Sequence, residues 1–439
     1  MSRIRRILLS PLKRCASAVV VAWAATGAPC MASAQTSSPA VPPVLPPAQT
    51  VMHVLAQLPQ VRAANLGIPL AQARNERLQA GPHDWVAKAA SNRRSEREGA
   101  NFFEAEVALE TSLRWPAKVK ADQLLGRSEI RLGELTLADT WHEAARNLLS
   151  AWFDALRDVR GAAVLQEQAA LVAQQMTVTE RRVKAGEAAS LELLAAQAEA
   201  SRVAALAARA QGQVKVRLQA LQRMYPGLPV PTDMSTTDRS AWSNAQSSSE
   251  VVAQQWATNI LTDNHELELA MAKAAQARLQ AQRITLERRG DPTLGVRASR
   301  ERSGQESVLG VYVSIPLGGA GRRADAQAAL AQADMAEQVL AQQRVRIETE
   351  AWRTASEVEQ ARHTRSQLQS AQTQIERSAT LQARAYALGE SPLADLLLAR
   401  RSALEALLAA DTAVIDEMQA HARLLLDTHR LWAAPGSVH

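Results

Sequence analysis

The stretch V-L-G-V-Y-V-S-I-P, residues 308–316, decides the fold. Leu309, Val311, Val313 and Ile315 fall on one side of an extended chain, and Gly310, Tyr312 and Ser314 on the other. A period of two is strand periodicity. After Pro316 the character changes. From about Gly321 to Leu388 the chain is rich in Ala, Gln, Arg and Glu, all helix formers, with neither proline nor glycine between Arg322 and Leu388. At ~1.5 Å per residue this predicts a helix of roughly 100 Å.

The same device occurs earlier. Phe103, Ala105, Val107, Leu109, Leu113 and Trp115 alternate with Glu104, Glu106, Glu110, Ser112 and Arg114; Pro116 follows, and then a long helical run to Gly186. Pro116 and Pro316 are 200 residues apart, and Gly186 and Gly389 are 203 apart. Matching intervals of this length mark an internal duplication.

The N-terminus has the character of an export signal. Arg3, Arg5, Arg6, Lys13 and Arg14 precede an apolar run from Ala16 to Ala28, and Ala32-Ser33-Ala34 is a small-residue cleavage site ending at Ala34. The apolar run is shorter than the ~20 residues of a membrane span. Removing residues 1–34 lowers the formal charge from +6 to +1 and leaves no basic excess to argue for nucleic acid. Both cysteines, Cys15 and Cys30, lie in this segment, so the mature chain has neither disulfide nor thiolate metal ligand. Pro29 occupies the place where a lipidation signal at Cys30 wants a small residue. No other segment has 18 continuous apolar residues, which leaves a periplasmic protein or one that crosses the outer membrane by strands.

Along the chain, residues 35–48 form a Pro-rich linker. A first repeat over 49–224 holds a helix to about residue 80 broken near Pro59, strands at about 85–91 and 103–115, the long helix, the Gly186 break and a return helix. Asn92–Asn101, polar and charged, is expected as a loop. Residues 225–249 are a linker. A second repeat over 250–433 holds a helix from about 250 to 288, strands at about 293–300 and 308–316, the long helix, the Gly389 break and a return helix, before a tail at 434–439. Within the first long helix, Leu148, Trp152, Leu156, Val159 and Ala163 predict a packing seam. The fold class is thus mainly α with a small β part.

Four strands with one apolar face each cannot close a membrane barrel, and an open edge in lipid is forbidden. Single-chain barrels begin at about eight strands. Several chains must share one barrel, and three would supply twelve strands. The long helices are too polar for a second apolar layer and must project into the periplasm.

In this order of elements the chain resembles the TolC-like outer-membrane efflux proteins over nearly the whole mature sequence. The resemblance is carried by V-Y-V-S-I-P-L-G-G-A-G-R-R (311–323) and the two tips, R-V-K-A-G-E-A-A-S-L-E-L-L (182–194) and A-Y-A-L-G-E-S-P-L-A-D-L-L (385–397). It implies a homotrimer whose twelve-stranded barrel in outer-membrane lipid continues into a periplasmic α-helical barrel. The partners implied are a periplasmic adaptor protein and an inner-membrane pump of RND type. The Gly389-Glu390 tip, the short tail and the length look most like the heavy-metal (CzcC/CusC-like) branch. By the same resemblance, Gly186, Glu187, Gly389 and Glu390 are adaptor-docking positions, and Asp395, Glu192 and Tyr386 line the periplasmic constriction. Leu398 stands where relatives can carry a second acid, and Ser391 where TolC has an arginine. Glu104, Glu106 and Glu110 are expected in the barrel lumen, partly offset by Lys88, Arg114 and Arg297. Trp85 and Trp115 are girdle candidates; Tyr312, on the polar side, is not.

The eight histidines are scattered, and none forms a ligand pair. His142-Glu143 and His265-Glu266 lack the second histidine of a zinc protease motif, and no phosphate loop or nucleophile elbow occurs. The expected function is a passive exit duct with no cofactor, not an enzyme. The competing reading is a soluble periplasmic coiled-coil adaptor or scaffold, which has no need of four alternating strands.

Overall fold

The computed structural model describes residues 42, 44–95, 97, 99, 101–233, 242 and 253–433. The expected signal with its cleavage at Ala34, most of the inter-repeat linker and the tail lie outside the described residues. The first repeat contains α1 (Ala48–Gln57), α2 (Pro59–Ala80), β1 (Val86–Ser95), β2 (Asn101–Ser112), α3 (Pro116–Lys184) and α4 (Ser190–Met224). The second contains α5 (Ala253–Thr262), α6 (His265–Leu286), β3 (Thr293–Glu301), β4 (Glu306–Ser314), α7 (Ala320–Ala387) and α8 (Leu393–Asp427). Paired elements have nearly equal lengths: 10 and 22 residues for the short helices of both repeats, 69 and 68 for the long ones, 35 for each return helix.

Several boundaries differ from the sequence reading for local reasons. β1 continues through Asn92–Ser95, expected as loop, because Arg94 pairs with Phe102 across the ladder and its Nε lies 3.0 Å from Glu104 Oε1. β2 ends at Ser112 rather than at Trp115, which is the N-cap of α3 with Pro116 at the first helical position. β4 likewise stops at Ser314, two residues before Pro316. The second repeat's first helix is not continuous. It breaks at Asn264, whose side chain accepts the Leu267 N–H at 2.8 Å, a capping bond that starts α6.

The strands form one antiparallel sheet in the order β1-β2-β3-β4. Both outer strands are free edges within the chain. The register places Leu109, Val296 and Val311 in one row across β2, β3 and β4, and Glu110, Gly295 and Tyr312 in the adjacent row on the other face. Gly295 is required here: a Cβ would meet the Tyr312 ring carbon Cζ at 2.4 Å.

The largest hydrophobic cluster lies midway along the helices. Val51, Val54 and Leu55 of α1, Leu148, Trp152, Phe153 and Leu156 of α3, Leu221 of α4, and Ile415, Met418 and Leu425 of α8 are all buried there, closed by Leu431 and Trp432. The predicted seam holds for Leu148, Trp152 and Leu156, whereas Val159 and Ala163 are only half-buried and Ala162 and Val164 take their place. No helix among the described residues is long and apolar enough to cross a membrane.

Candidate functional site

Both hairpin tips are built by the same backbone device. Gly186 and Gly389 have φ of 80° and 78°, a left-handed conformation that costs other residues a Cβ clash. In the first tip Gly186 N–H donates to Val183 O and Glu187 N–H to Arg182 O, at 3.0 and 2.8 Å. In the second, Gly389 N–H donates to Tyr386 O and Glu390 N–H to Ala385 O, at 3.0 and 2.9 Å. This is the paired Schellman pattern that ends a helix. A Cβ on either glycine would meet open space, so the demand is conformational and not steric. Glu187 and Glu390 are exposed.

Four residues past each glycine the return helix begins, and Glu192 and Asp395 fall in the first turns of α4 and α8. Acids there meet the positive end of the helix dipole. Asp395 is exposed, as is Leu398. Tyr386 is buried among Ala196, Leu393, Leu396 and Leu397. Its hydroxyl accepts from Arg182 at 2.9 Å and lies 3.4 Å from Glu192 Oε2, with the Arg182 guanidinium carbon 5.3 Å from the ring centroid. The structure therefore joins Tyr386 and Glu192 within one chain, and adds Arg182, which the sequence reading missed. Ser391 accepts from Gln382 Nε2 at 2.8 Å. Deeper along the hairpins, Arg401 of α8 reaches Glu199 of α4 at 2.8 Å. Hydrogen bonds from Arg202 and then Arg401 hold the Glu199 carboxyl below the usual carboxylate range, against the opposing effect of burial.

The sheet has two chemically distinct faces. One carries Phe103, Val107, Leu109, Val296, Leu309, Val311 and Val313, all exposed in the single chain. Beyond these, toward the hairpin loops, the same face carries Arg93 and Arg300. The other carries Glu104, Glu106 and Glu110, each half-buried. Lys88 Nζ lies 2.6 Å from Glu110, and the Tyr312 hydroxyl donates to the same carboxylate. Tyr312 is thus tied to the acidic face. Arg297 shares that face, across from Ala108 and Gly310. Arg114 does not belong to it, contrary to expectation. It turns into the strand–helix junction, donating to Asp122 at 2.8 Å and to Leu78 O at 2.7 Å.

That junction is a dense ionic ring. Lys118, 1% exposed, lies 2.8 Å from Glu287 and 3.0 Å from Asp291; Asp291 also meets His83 at 2.9 Å, and Arg283 bridges Asp122 and Glu287. Trp115 stands beside it, its Nε1 donating to Gly290 O at 2.9 Å.

The histidines are not all scattered. His142, His265 and His429 converge from α3, the start of α6 and the segment after α8, with ring centroids 4.4–6.4 Å apart. Their separation in sequence, more than a hundred residues at each step, hides the cluster. It is a packed polar core: His142 Nε2 lies 3.1 Å from Asp427 Oδ1, and His429 Nε2 2.8 Å from Asp263 O. Burial would raise the Asp427 pKa, but the His142 hydrogen bond and the Arg146 and Arg423 charges hold it well below the usual range. Burial lowers His142. Among the described residues no group of three His, Cys, Asp or Glu is arranged to hold a metal.

No protein-family model matches the sequence, and no curated protein matches it closely enough to count as a relative. Solved structures do. The outer membrane channel CmeC of Campylobacter jejuni is 14% identical with TM-score 0.66, over 88% of this chain and 85% of that one. The outer membrane protein VceC of Vibrio cholerae is 14% identical with TM-score 0.69, over 87% and 95%. CusC, a protein that forms a transmembrane channel, is 18% identical with TM-score 0.64, over 86% and 91%. The chain has the fold of these outer-membrane channels: mainly helical, with one four-stranded antiparallel sheet among the described residues.

Proposed function

We propose that the protein is the outer-membrane exit duct of a tripartite efflux system, acting as a trimer with an adaptor and an RND-type inner-membrane pump. The carrying observation is the sheet. It has one exposed apolar face, one acidic face and two unpaired edges, a combination that is stable in lipid only if copies join edge to edge. In β2 the apolar side from Phe103 to Leu109 runs about 20 Å at ~3.3 Å per residue, most of the ~25 Å band of membrane barrels. Three copies give twelve strands with Glu104, Glu106 and Glu110 toward the lumen. Exposed Leu330, Met335, Val339, Val345 and Trp352 on α7 supply apolar contacts for the neighbouring copy. The strong burial of α3 and the exposure of α7 and α4 suit a helical barrel closed between chains. Trp85 and Trp115, at the helix-proximal ends of the strands, are its girdle.

In this reading the tips face the adaptor through Glu187 and Glu390, while Asp395, with Glu192 and Tyr386, lines the mouth. The domain division follows the two repeats, with a cleaved signal ending at Ala34. Three copies of an exposed Asp395 favour cations, and heavy-metal cations are the cargo class we assign. CusC is slightly more identical in sequence but no more similar in fold than CmeC or VceC, so this assignment rests on the acidic positions and the tip. The conduit is passive and needs no cofactor.

Trimers reconstituted in planar bilayers test the reading. Asp395→Ala is expected to reduce block by divalent cations and to raise single-channel conductance. Unchanged currents would remove Asp395 from the constriction. Recovery of the protein in the soluble periplasm without detergent would overturn the duct itself.

A further inference from the structure

A cleft of about 570 Å³ opens where the second repeat passes from sheet to helix. Its walls are Trp115 and Pro116 at the start of α3, Leu286, Arg288 and Arg289 at the end of α6, and Gly318, Gly319 and Arg323 leading into α7. The two repeats differ at this point. In the first, Pro116 opens the helix directly. In the second, Pro316 is followed by Leu317-Gly318-Gly319 before α7 starts at Ala320. Gly318 packs so closely that a Cβ would meet the Arg288 carbonyl oxygen at 2.7 Å, whereas a Cβ on Gly319 would meet open space. The spacer thus hugs α6 on one side and leaves room on the other.

The charge balance of the cleft is unusual for its surroundings. Lys118, which also lines the cleft, sits on the buried Asp291, and the neighbouring Arg114 and Arg283 sit on the buried Asp122. The side chains of Arg288, Arg289 and Arg323 are exposed and have no ion-pair partner among the described residues. Three guanidinium groups around one cavity match the oxygens of a phosphate, which each can bind in bidentate fashion. Between β4 and the cleft-lining Gly318, Val313 at the strand's end and Ile315 and Leu317 just after it are 60%, 60% and 89% exposed. Trp115, half-exposed with its indole N–H bonded, stands at the rim in the manner of interfacial tryptophans.

We propose that this cleft binds the phosphate of an anionic phospholipid in the leaflet adjoining the helices, its acyl chains lying along Val313, Ile315 and Leu317. The continuous apolar surface selects a lipid over free phosphate. This assignment rests on the sheet being embedded in a membrane. Each chain holds one such cleft, so a trimer holds three.

The experiment uses the full-length trimer in detergent, with native mass spectrometry after addition of phosphatidylglycerol, phosphatidylcholine or inorganic phosphate. Phosphatidylglycerol is expected to saturate at three per trimer and to bind about tenfold more tightly than phosphatidylcholine. The variant R288Q/R289Q/R323Q is expected to lose about tenfold in phosphatidylglycerol affinity. Excess inorganic phosphate is expected to leave the lipid in place. Equal retention of the two lipids, undiminished binding to the variant, or displacement by inorganic phosphate would overturn the proposal. If the triple variant does not trimerise, R288Q and R323Q singly carry the test, each with about a threefold loss expected. Bilayer conductance of the same preparation separates the two readings. Conducting trimers that ignore phosphatidylglycerol sink only the lipid site, and preparations that neither insert nor conduct sink the duct.

Discussion

The two return helices have the same length and opposite roles. α4 buries only Ala196, Glu199, Val203, Ala207 and Leu221. α8 buries most of its second half, including Asp411, Glu417, His421 and Asp427. Counting back by the 203-residue offset, these four correspond to Ala208, Val214, Leu218 and Met224. At these four positions the interior helix is therefore the polar one. Each of these three buried acids has a partner: Arg160 for Asp411, Arg365 for Glu417, and His142, Arg146 and Arg423 for Asp427. Duplication kept the skeleton, and burial was then distributed unevenly. One half acquired a specific, charged packing against α3, and the other left most of its return helix exposed in the single chain.

The sharpest break of this comparison is at the junctions. Lys118, where the first repeat passes into α3, pairs with Glu287 and the buried Asp291 of the second repeat, while Arg323 at the start of α7 is solvated. Lys118→Ala is expected to cost about 3–5 kcal/mol, since it strands buried carboxylate charge. Arg323→Gln is expected to stay within about 0.5 kcal/mol, the range of surface substitutions. Thermal unfolding by circular dichroism reads both. Equal melting temperatures for the two variants would show that the buried ring gives the first junction no extra stability.

His421 offers the next test. It is buried edge-on to Trp242, with centroids 5.2 Å apart, and burial lowers its pKa to about 4. The unfolded chain takes up this proton near pH 6.5, so stability is full above that value and falls until about pH 4. At pH 4.5 the loss is about 2–3 kcal/mol. His421→Leu, which copies Leu218 of the first repeat, should remove that part of the acid sensitivity. Glu417, raised by burial in spite of Arg365, titrates in the opposite sense and remains in the variant. The difference in midpoint between pH 7 and pH 4.5 therefore isolates the histidine. An identical acid shift in both proteins would reject it.

The tips come third. Valine at Gly186 or Gly389 forces a β-branched residue to φ near 80°, at about 1–2 kcal/mol each. The double variant is expected to insert as trimers but to lose export, and normal resistance in cells carrying it would contradict docking there. The smallest effect is at the two helix breaks. Asn264→Ala should cost about 1 kcal/mol because a capping bond is lost. Gln57 and Leu58, at the equivalent break, supply no such side-chain bond, and Gln57→Ala, at an exposed position, should not show the same loss of helix ellipticity. Matched losses would mean that the cap is incidental.

Much of this was legible in the sequence because it depends on period and punctuation. Alternation located all four strands, and Pro116, Gly186 and Gly389 marked helix ends, since each acts through its own backbone. What was hidden depends on distant partners. The Asp263-Asn264 pair lacks proline or glycine, though an Asn before His265-Glu266 is a capping signal. Arg94 looked like loop because its Glu104 partner lies across the ladder. Arg182 and the three-histidine cluster involve residues that only the packing of separate hairpins brings together. Arg114 followed strand alternation in the sequence, yet the helix start at Pro116 redirects it to Asp122.

The reversal at each tip uses main-chain bonds and one glycine; of the side chains at 187–189 and 390–392, Ser391 alone is tied down, by Gln382. The other five positions can be rewritten without losing the bonds that turn the chain. If the tips dock an adaptor as proposed, its recognition can change through this short stretch while the architecture behind it stays fixed.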